Sequence, residues 1–331
     1  MAFNKVLGNK PYMVSIELTT DCPFNCPFCY SKRRYTIRSS WSADLLKIFI
    51  KELSIVLNDQ KFVTGFGGGE PLTVPMLLAI GLKISLDYGV EYTSFTTNGV
   101  LMNVDKLKTI ESIVGKLVLP HGFITLSIDS YKLLVAPKAK RLNNELFKVW
   151  KSIKPFLVLA SRKYGIKPPD TPPIQFEIAE FLWNRGYSLS LNIMVTDDIL
   201  PLLVSSNMLL SNYSFMDYVR DRFIQIQFLL PKPMTNLLTT DRELLKKILF
   251  LWIKKSGVKV AVDQAFYMYI NNRKNHSCLA GRKLLSIDPY RKIAPCSFIP
   301  HKIKWKPGEL SKIIEYIRRK VLIKGFKCPY I

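Results

Sequence analysis

Short apolar runs alternate along the chain with stretches whose apolar residues recur at helical spacing. Met13–Leu18 (MVSIEL) reads as a buried strand, and Ala43–Leu57 as an amphipathic helix with Ser42 as its N-cap. Lys61–Phe66 predicts a second strand, closed by Gly67-Gly68-Gly69, and Met76–Leu86 a helix. Tyr92–Thr96 and Phe123–Ile128 predict the third and fourth strands, with a short helix at Asp105–Val114 between them. A helix near Glu145–Tyr164 precedes the break at Pro168-Pro169-Asp170-Thr171-Pro172-Pro173, and Ile174–Asn184 is again helical. Leu189–Val195 and Phe223–Leu230 supply strands five and six, and Asp241 caps a helix through Lys255. This alternation implies parallel βαβ units. The expected fold is therefore α/β.

The texture changes after about residue 256. Two short strands, Leu284–Ile287 and Lys292–Pro295, flank Asp288-Pro289-Tyr290-Arg291, and Ser311 is placed to cap a last helix through Val321. The pattern divides the chain into 1–255, with an insertion at about 131–173, and an appendage at 256–331. No apolar run approaches the ~18 residues of a membrane span, and the first twelve residues have no secretory apolar region, so a cytoplasmic protein is expected.

The 331 residues carry a formal net charge of +23. Between Tyr131 and Pro168 ten Lys/Arg face one acid, Glu145; between His301 and Cys328 nine face two, Glu309 and Glu315. Such a field attracts an anionic partner: RNA, an acidic peptide or a phosphorylated metabolite. The alternative is a lysine-rich solvated surface, since no nucleic-acid motif accompanies the charge.

Six cysteines are too few for a disulfide scaffold, and three lie between Cys22 and Cys29. The run Cys22-Pro-Phe-Asn-Cys26-Pro-Phe-Cys29 follows the first strand. Three thiolates at this spacing can hold three corners of a cubane iron–sulfur cluster and leave the fourth iron open. A zinc knuckle is the alternative, but zinc takes four ligands and the nearest histidine is His121. Gly68-Gly69-Glu70-Pro71 follows strand two.

The cysteine run, with Phe28 before its last cysteine, and the Gly68–Glu70 turn resemble the signatures of the radical S-adenosylmethionine (SAM) superfamily. The resemblance implies a partial (β/α)6 TIM-like barrel with a small C-terminal α/β appendage. It implies an enzyme with a [4Fe–4S] cluster on Cys22, Cys26 and Cys29, reduced by a donor such as ferredoxin or flavodoxin. SAM is then cleaved to methionine and a 5′-deoxyadenosyl radical that takes hydrogen from the substrate. Phe28, Gly68, Gly69, Glu70, Asn98, Ser127 and Asn192 are its implied SAM-site residues, with Glu70 and neighbouring carbonyls holding the methionyl amino group. For Asn98, Ser127 and Asn192 a plain strand-end role is the alternative. Glu17 is either a buried polar residue of the barrel interior or a substrate contact. Cys278 and Cys296, with Cys328, resemble the twitch or shortened SPASM region that binds an auxiliary [4Fe–4S] cluster, although Arg291 stands where that pattern has glycine. His276 and His301 flank these cysteines. The motifs specify no reaction: a peptide or small-molecule substrate, an RNA substrate, and a non-catalytic iron–sulfur or zinc protein that binds nucleic acid stay open. The basic insertion after strand four is placed to serve as a lid or substrate dock.

Overall fold

The computed structural model describes residues 12–29, 39–57, 60–141, 143–205, 215–231, 238–272, 279–299 and 302–324. Strands β1 (Tyr12–Thr19), β2 (Phe62–Gly68), β3 (Thr93–Thr97), β4 (Gly122–Ile128), β5 (Leu189–Met194), β6 (Gln225–Leu229) and β7 (Lys259–Val262) lie side by side in chain order, all parallel. β8 (Leu284–Ile287) is parallel to the free side of β1, and β9 (Lys292–Ala294) and β10 (Ile303–Lys304) extend that side antiparallel. The result is an open, mostly parallel α/β sheet, a partial barrel as expected. Sequence patterning found six barrel strands and missed β7, whose four residues are too few to show a period. The C-terminal region joins the same sheet through β8.

Helices cover the outer face. In chain order they are α1 (Ala43–Val56), α2 (Pro75–Asp87), α3 (Val104–Val114), α4 (Ser130–Val135), α5 (Asn144–Ile153) and α6 (Val158–Tyr164). After them come α7 (Ile174–Trp183), α8 (Leu200–Ser205), α9 (Phe215–Arg222), α10 (Arg242–Lys255), α11 (Gln264–Ile270) and α12 (Leu310–Lys324). Ser42 caps α1 through the Leu45 N–H, and Asp241 caps α10 through Glu243 and Leu244. The single helix expected over 145–164 is broken: Pro155 offers no N–H, and Lys154–Leu157 tightens into a 3-10 turn between α5 and α6. The last helix begins at Leu310, which puts Ser311 inside its first turn. Glu52 of α1 takes the cap's place, accepting from the Gly308 and Leu310 N–H groups and from Trp305 Nε1.

The two faces of the sheet differ in kind. Ile124, Leu126 and Ile128 of β4, Leu189, Leu191 and Ile193 of β5, and Ile226 and Phe228 of β6 are buried under the helices. Each such side chain contributes roughly 1.5–3 kcal/mol. The alternate residues face the concave side: Thr125 and Ser127, Ser190 and Asn192, Gln225 and Gln227. That inner wall is polar rather than a packed apolar plug. The basic stretch 131–173 is anchored in the apolar core through Leu146, Val149, Trp150, Ile153, Leu157 and Ala160. Arg222 of α9 pins it further, pairing with Glu180 of α7 at 2.6 Å and Glu145 of α5 at 2.8 Å.

Candidate functional site

The loop after β1 starts with a clasp. The Asp21 N–H donates to Thr19 Oγ1 at 3.1 Å, and the backbone of β2's end reaches back to the same turn. The Gly69 N–H donates to the Thr19 carbonyl at 2.7 Å and the Glu70 N–H to the Asp21 carbonyl at 2.6 Å. This approach requires the two glycines. A Cβ on Gly69 would lie 2.3 Å from the Asp21 carbonyl oxygen, and one on Gly68, whose φ is +107°, 2.6 Å from that of Thr19. The glycines therefore admit the backbone of the cysteine loop itself. Gly67, opposite Glu17 in register, faces open space.

Glu70 is fully buried, and its carboxylate closes the second clasp. Oε1 accepts from the Leu72 N–H at 3.1 Å and Thr97 Oγ1 at 2.7 Å; Oε2 accepts from the Asn98 N–H at 2.8 Å. The carboxylate thus ties the ends of β2 and β3 together, and most of its accepting capacity is engaged inside the protein. Burial pushes its pKa up against these three donors.

Cys22, Cys26 and Cys29 are half-buried, while the rings of Phe24 and Phe28 are buried and root the loop. The Cys29 N–H donates to the Cys26 carbonyl at 3.1 Å, closing the turn between them. Asn98 Nδ2 lies 3.6 Å from Cys22 Sγ. Burial raises the Cys22 thiol pKa and pushes Cys26 up to about 12, with Asp129 adding to the rise at Cys26 and Lys132 opposing it. Ligation needs the thiolates, so loading a metal group here releases protons.

Lys132 is the residue that sequence reasoning missed. It sits in the first turn of α4, directly after β4, and its Nζ meets Asp129 Oδ2 at 3.0 Å and Ser127 Oγ at 2.8 Å. Burial works against its charge, but the neighbouring Asp129 carboxylate outweighs it and holds the ammonium above its ordinary pKa. The signal was in the sequence as Asp129 and Lys132 three apart, an N-cap followed by a side chain folding back on it. Beyond β5, Asp198 is buried and accepts from Ser130 Oγ and, at 2.6 Å, from Lys163 Nζ of α6.

The structure thus brings together Cys22, Asn98, Gly68, Gly69, Glu70 and, through Lys132, Ser127. Asn192 pairs with Ser127 in register. Asn192 Oδ1 and Ser190 Oγ are buried without a hydrogen-bond partner among the described residues. Glu17 is buried on the same inner face. Cys278, Cys328, His276 and His301 lie outside the described residues. Cys296 follows β9 and is half-buried. Arg291 adopts φ +63°, the left-handed conformation that glycine takes freely, with Asp288 Oδ1 accepting from the Tyr290 and Lys292 N–H groups at 2.9 Å around it.

The donor set is three half-buried thiols on one loop, the ligand type that iron–sulfur clusters take. Among the described residues no three His, Cys, Asp or Glu side chains converge as a single metal requires. Zinc draws its sulfurs to about 2.3 Å from one centre. A cubane takes its thiolates on separate corners rather than on one centre.

Residues 16–141 match the family model of the radical SAM superfamily. That stretch is similar to the radical SAM domain. The matched stretch spans the cysteine loop, Gly68–Glu70, Asn98, Ser127 and Lys132. Uncharacterized protein MJ0804 of Methanocaldococcus jannaschii is 27% identical over 131 residues, 40% of this chain and 41% of that protein. The chain therefore matches less than half the length of that relative. Streptococcus suis SuiB bound to S-adenosylmethionine superposes with a TM-score of 0.57 at 14% identity, over 95% of this chain and 66% of SuiB. Native anSMEcpe with bound AdoMet gives 0.58 at 13% identity, over 96% of this chain and 84% of that one. These two likenesses concern the fold, and they extend beyond the matched stretch to nearly the whole chain. No helix among the described residues is long and apolar enough to cross a membrane.

Proposed function

We propose that this protein is a radical SAM enzyme that binds a [4Fe–4S] cluster on Cys22, Cys26 and Cys29 and cleaves SAM reductively. One observation carries the reading: three thiols share a loop at the C-terminal mouth of a parallel sheet, clasped to the glycine turn of the next strand. When bound, the cluster supplies the electron that breaks the C5′–S bond of SAM. The chain's residues do the holding. Gly69 and Glu70 fix the loop, and Asn98 and Lys132 bring donor and charge to its sulfurs. The polar atoms of Ser127, Ser190 and Asn192 offer hydrogen bonds to SAM or substrate on the inner wall. Lys132 is suited to a carboxylate at this mouth, being a buried ammonium with one acidic partner.

A peptide or a small polar molecule is the favoured substrate. The inner wall of β4–β6 carries amide and hydroxyl groups, while Lys138, Lys140, Lys148, Lys151 and Lys167, and Lys312 and Lys320 of α12, are exposed. Two forms of the similar folds, SuiB bound to precursor peptide SuiA and anSMEcpe with a Kp18Cys peptide, hold peptides. The outer charge favours a second reading, an RNA substrate, whose affinity would fall steeply with salt. Residues 256–331 are proposed as an auxiliary-cluster region on Cys278, Cys296 and Cys328. A ferredoxin- or flavodoxin-type donor and a cytoplasmic location complete the proposal.

The test is anaerobic reconstitution with iron and sulfide, then SAM with dithionite, beside a Cys22/Cys26/Cys29→Ala variant. Release of 5′-deoxyadenosine by the wild type alone is expected. Iron left in the variant would mark the auxiliary cluster. A fully loaded wild type that binds no SAM and makes no 5′-deoxyadenosine ends the assignment.

A further inference from the structure

Asn98 is not a cysteine ligand, yet it touches one. Its main-chain N–H is held by Glu70 Oε2 at 2.8 Å, and its side-chain Oδ1 accepts from the Val100 N–H at 3.0 Å. Those two bonds fix the backbone and the amide plane together. An Oδ1 occupied by Val100 leaves the NH2 end pointing the other way, and reversing the amide would set two donors against each other. The NH2 end meets Cys22 Sγ at 3.6 Å, the reach of an N–H···S hydrogen bond. At 5% exposure Asn98 has little water to compete for that donor. Glu70, itself anchored by Thr97 and Leu72, holds the arrangement from behind.

We propose that Asn98 is a positioning residue that sets the reduction potential of the cluster by donating a preset hydrogen bond to the Cys22 thiolate. This rests on the reading that Cys22, Cys26 and Cys29 hold a [4Fe–4S] cluster. Taking up one electron from an external reductant, [4Fe–4S]2+ becomes [4Fe–4S]+ and its thiolates gain negative charge. A donor aimed at one of them stabilises the reduced form more than the oxidised form and raises the potential. Because Val100 and Glu70 hold the amide in advance, the donor does not have to be ordered when the electron arrives.

The experiment is a redox titration of the reconstituted full-length protein, followed by electron paramagnetic resonance, with iron counted in every sample. Asn98→Ser keeps an oxygen for the Val100 N–H but cannot reach the sulfur. Asn98→Asp keeps the shape and puts an acceptor against it. At the wild-type midpoint, Asn98→Ser is expected to lower the reduced-to-oxidised ratio about tenfold, equivalent to about 59 mV for a one-electron couple. Asn98→Asp should lower it further. In D2O, the reduced wild type should show an exchangeable deuteron coupling that Asn98→Ser lacks. Equal midpoints for wild type and Asn98→Ser at equal iron content overturn the proposal, as does an Asn98→Asp midpoint above the wild type. A wild type that takes up no four-iron cluster is a different failure: it removes the cysteine assignment and this proposal with it.

Discussion

The strand ends of β1–β3 and those of β4–β6 face the same cleft but are built differently. In the first group almost every polar group is engaged within the chain: glycine backbone against the Thr19 and Asp21 carbonyls, Glu70 against Leu72, Thr97 and Asn98. In the second group side chains face inward with capacity to spare, as at Ser190 Oγ and Asn192 Oδ1. Satisfied bonds make a rigid frame; unsatisfied buried ones cost free energy until a ligand or water meets them. The first half is therefore a rigid frame, and the second a wall with hydrogen-bonding capacity to spare.

The largest effect should come from Gly69→Ala. Its Cβ would meet main chain at 2.3 Å rather than a movable side chain, so a loss on the order of 3 kcal/mol is expected, with impaired iron retention. Gly67→Ala, two residues away, faces open space and should change stability by under about 0.5 kcal/mol. Denaturant melts of the pair decide the matter; equal losses would show that the contact at Gly69 is not rigid.

Glu70→Gln comes next. The amide's NH2 would confront one of three donors, leaving it buried and unpaired, so a loss of about 1–3 kcal/mol is expected in the same melts. Unchanged stability would mean that the carboxylate does not brace the cradle. Ser190→Ala should be the smallest change, within about 0.5 kcal/mol, because the hydroxyl it removes has no partner among the described residues. A loss above about 1 kcal/mol would place Ser190 with the rigid group and blur the contrast.

Local, repetitive features were legible in the sequence. The strand–helix alternation, the Ser42 and Asp241 caps and the clustered cysteines all lie within a few residues of the positions that explain them. Long-range features were not. The bracing role of Glu70 was not legible, because its partners Thr97 and Asn98 come from the end of another strand. Lys132 reads as one of ten Lys/Arg in a basic stretch, and only the turn of α4 sends it back to Asp129. Ser311 reads as a cap because Glu52, some 260 residues earlier, is invisible to local pattern. Arg291 reads as a mismatch, yet its backbone has the conformation a glycine would have supplied.

The neighbour relation between β1 and β8 also bears on how the chain is made. β1 is first off the ribosome among the described strands, but its second partner begins at Leu284. At synthesis rates of about 5–20 residues per second, the edge of β1 waits roughly 15–50 s for that partner. From the synthesis of β2 to that of β8 the strand carrying the cysteine loop has one edge without its partner, and such an edge is open to pairing with another chain.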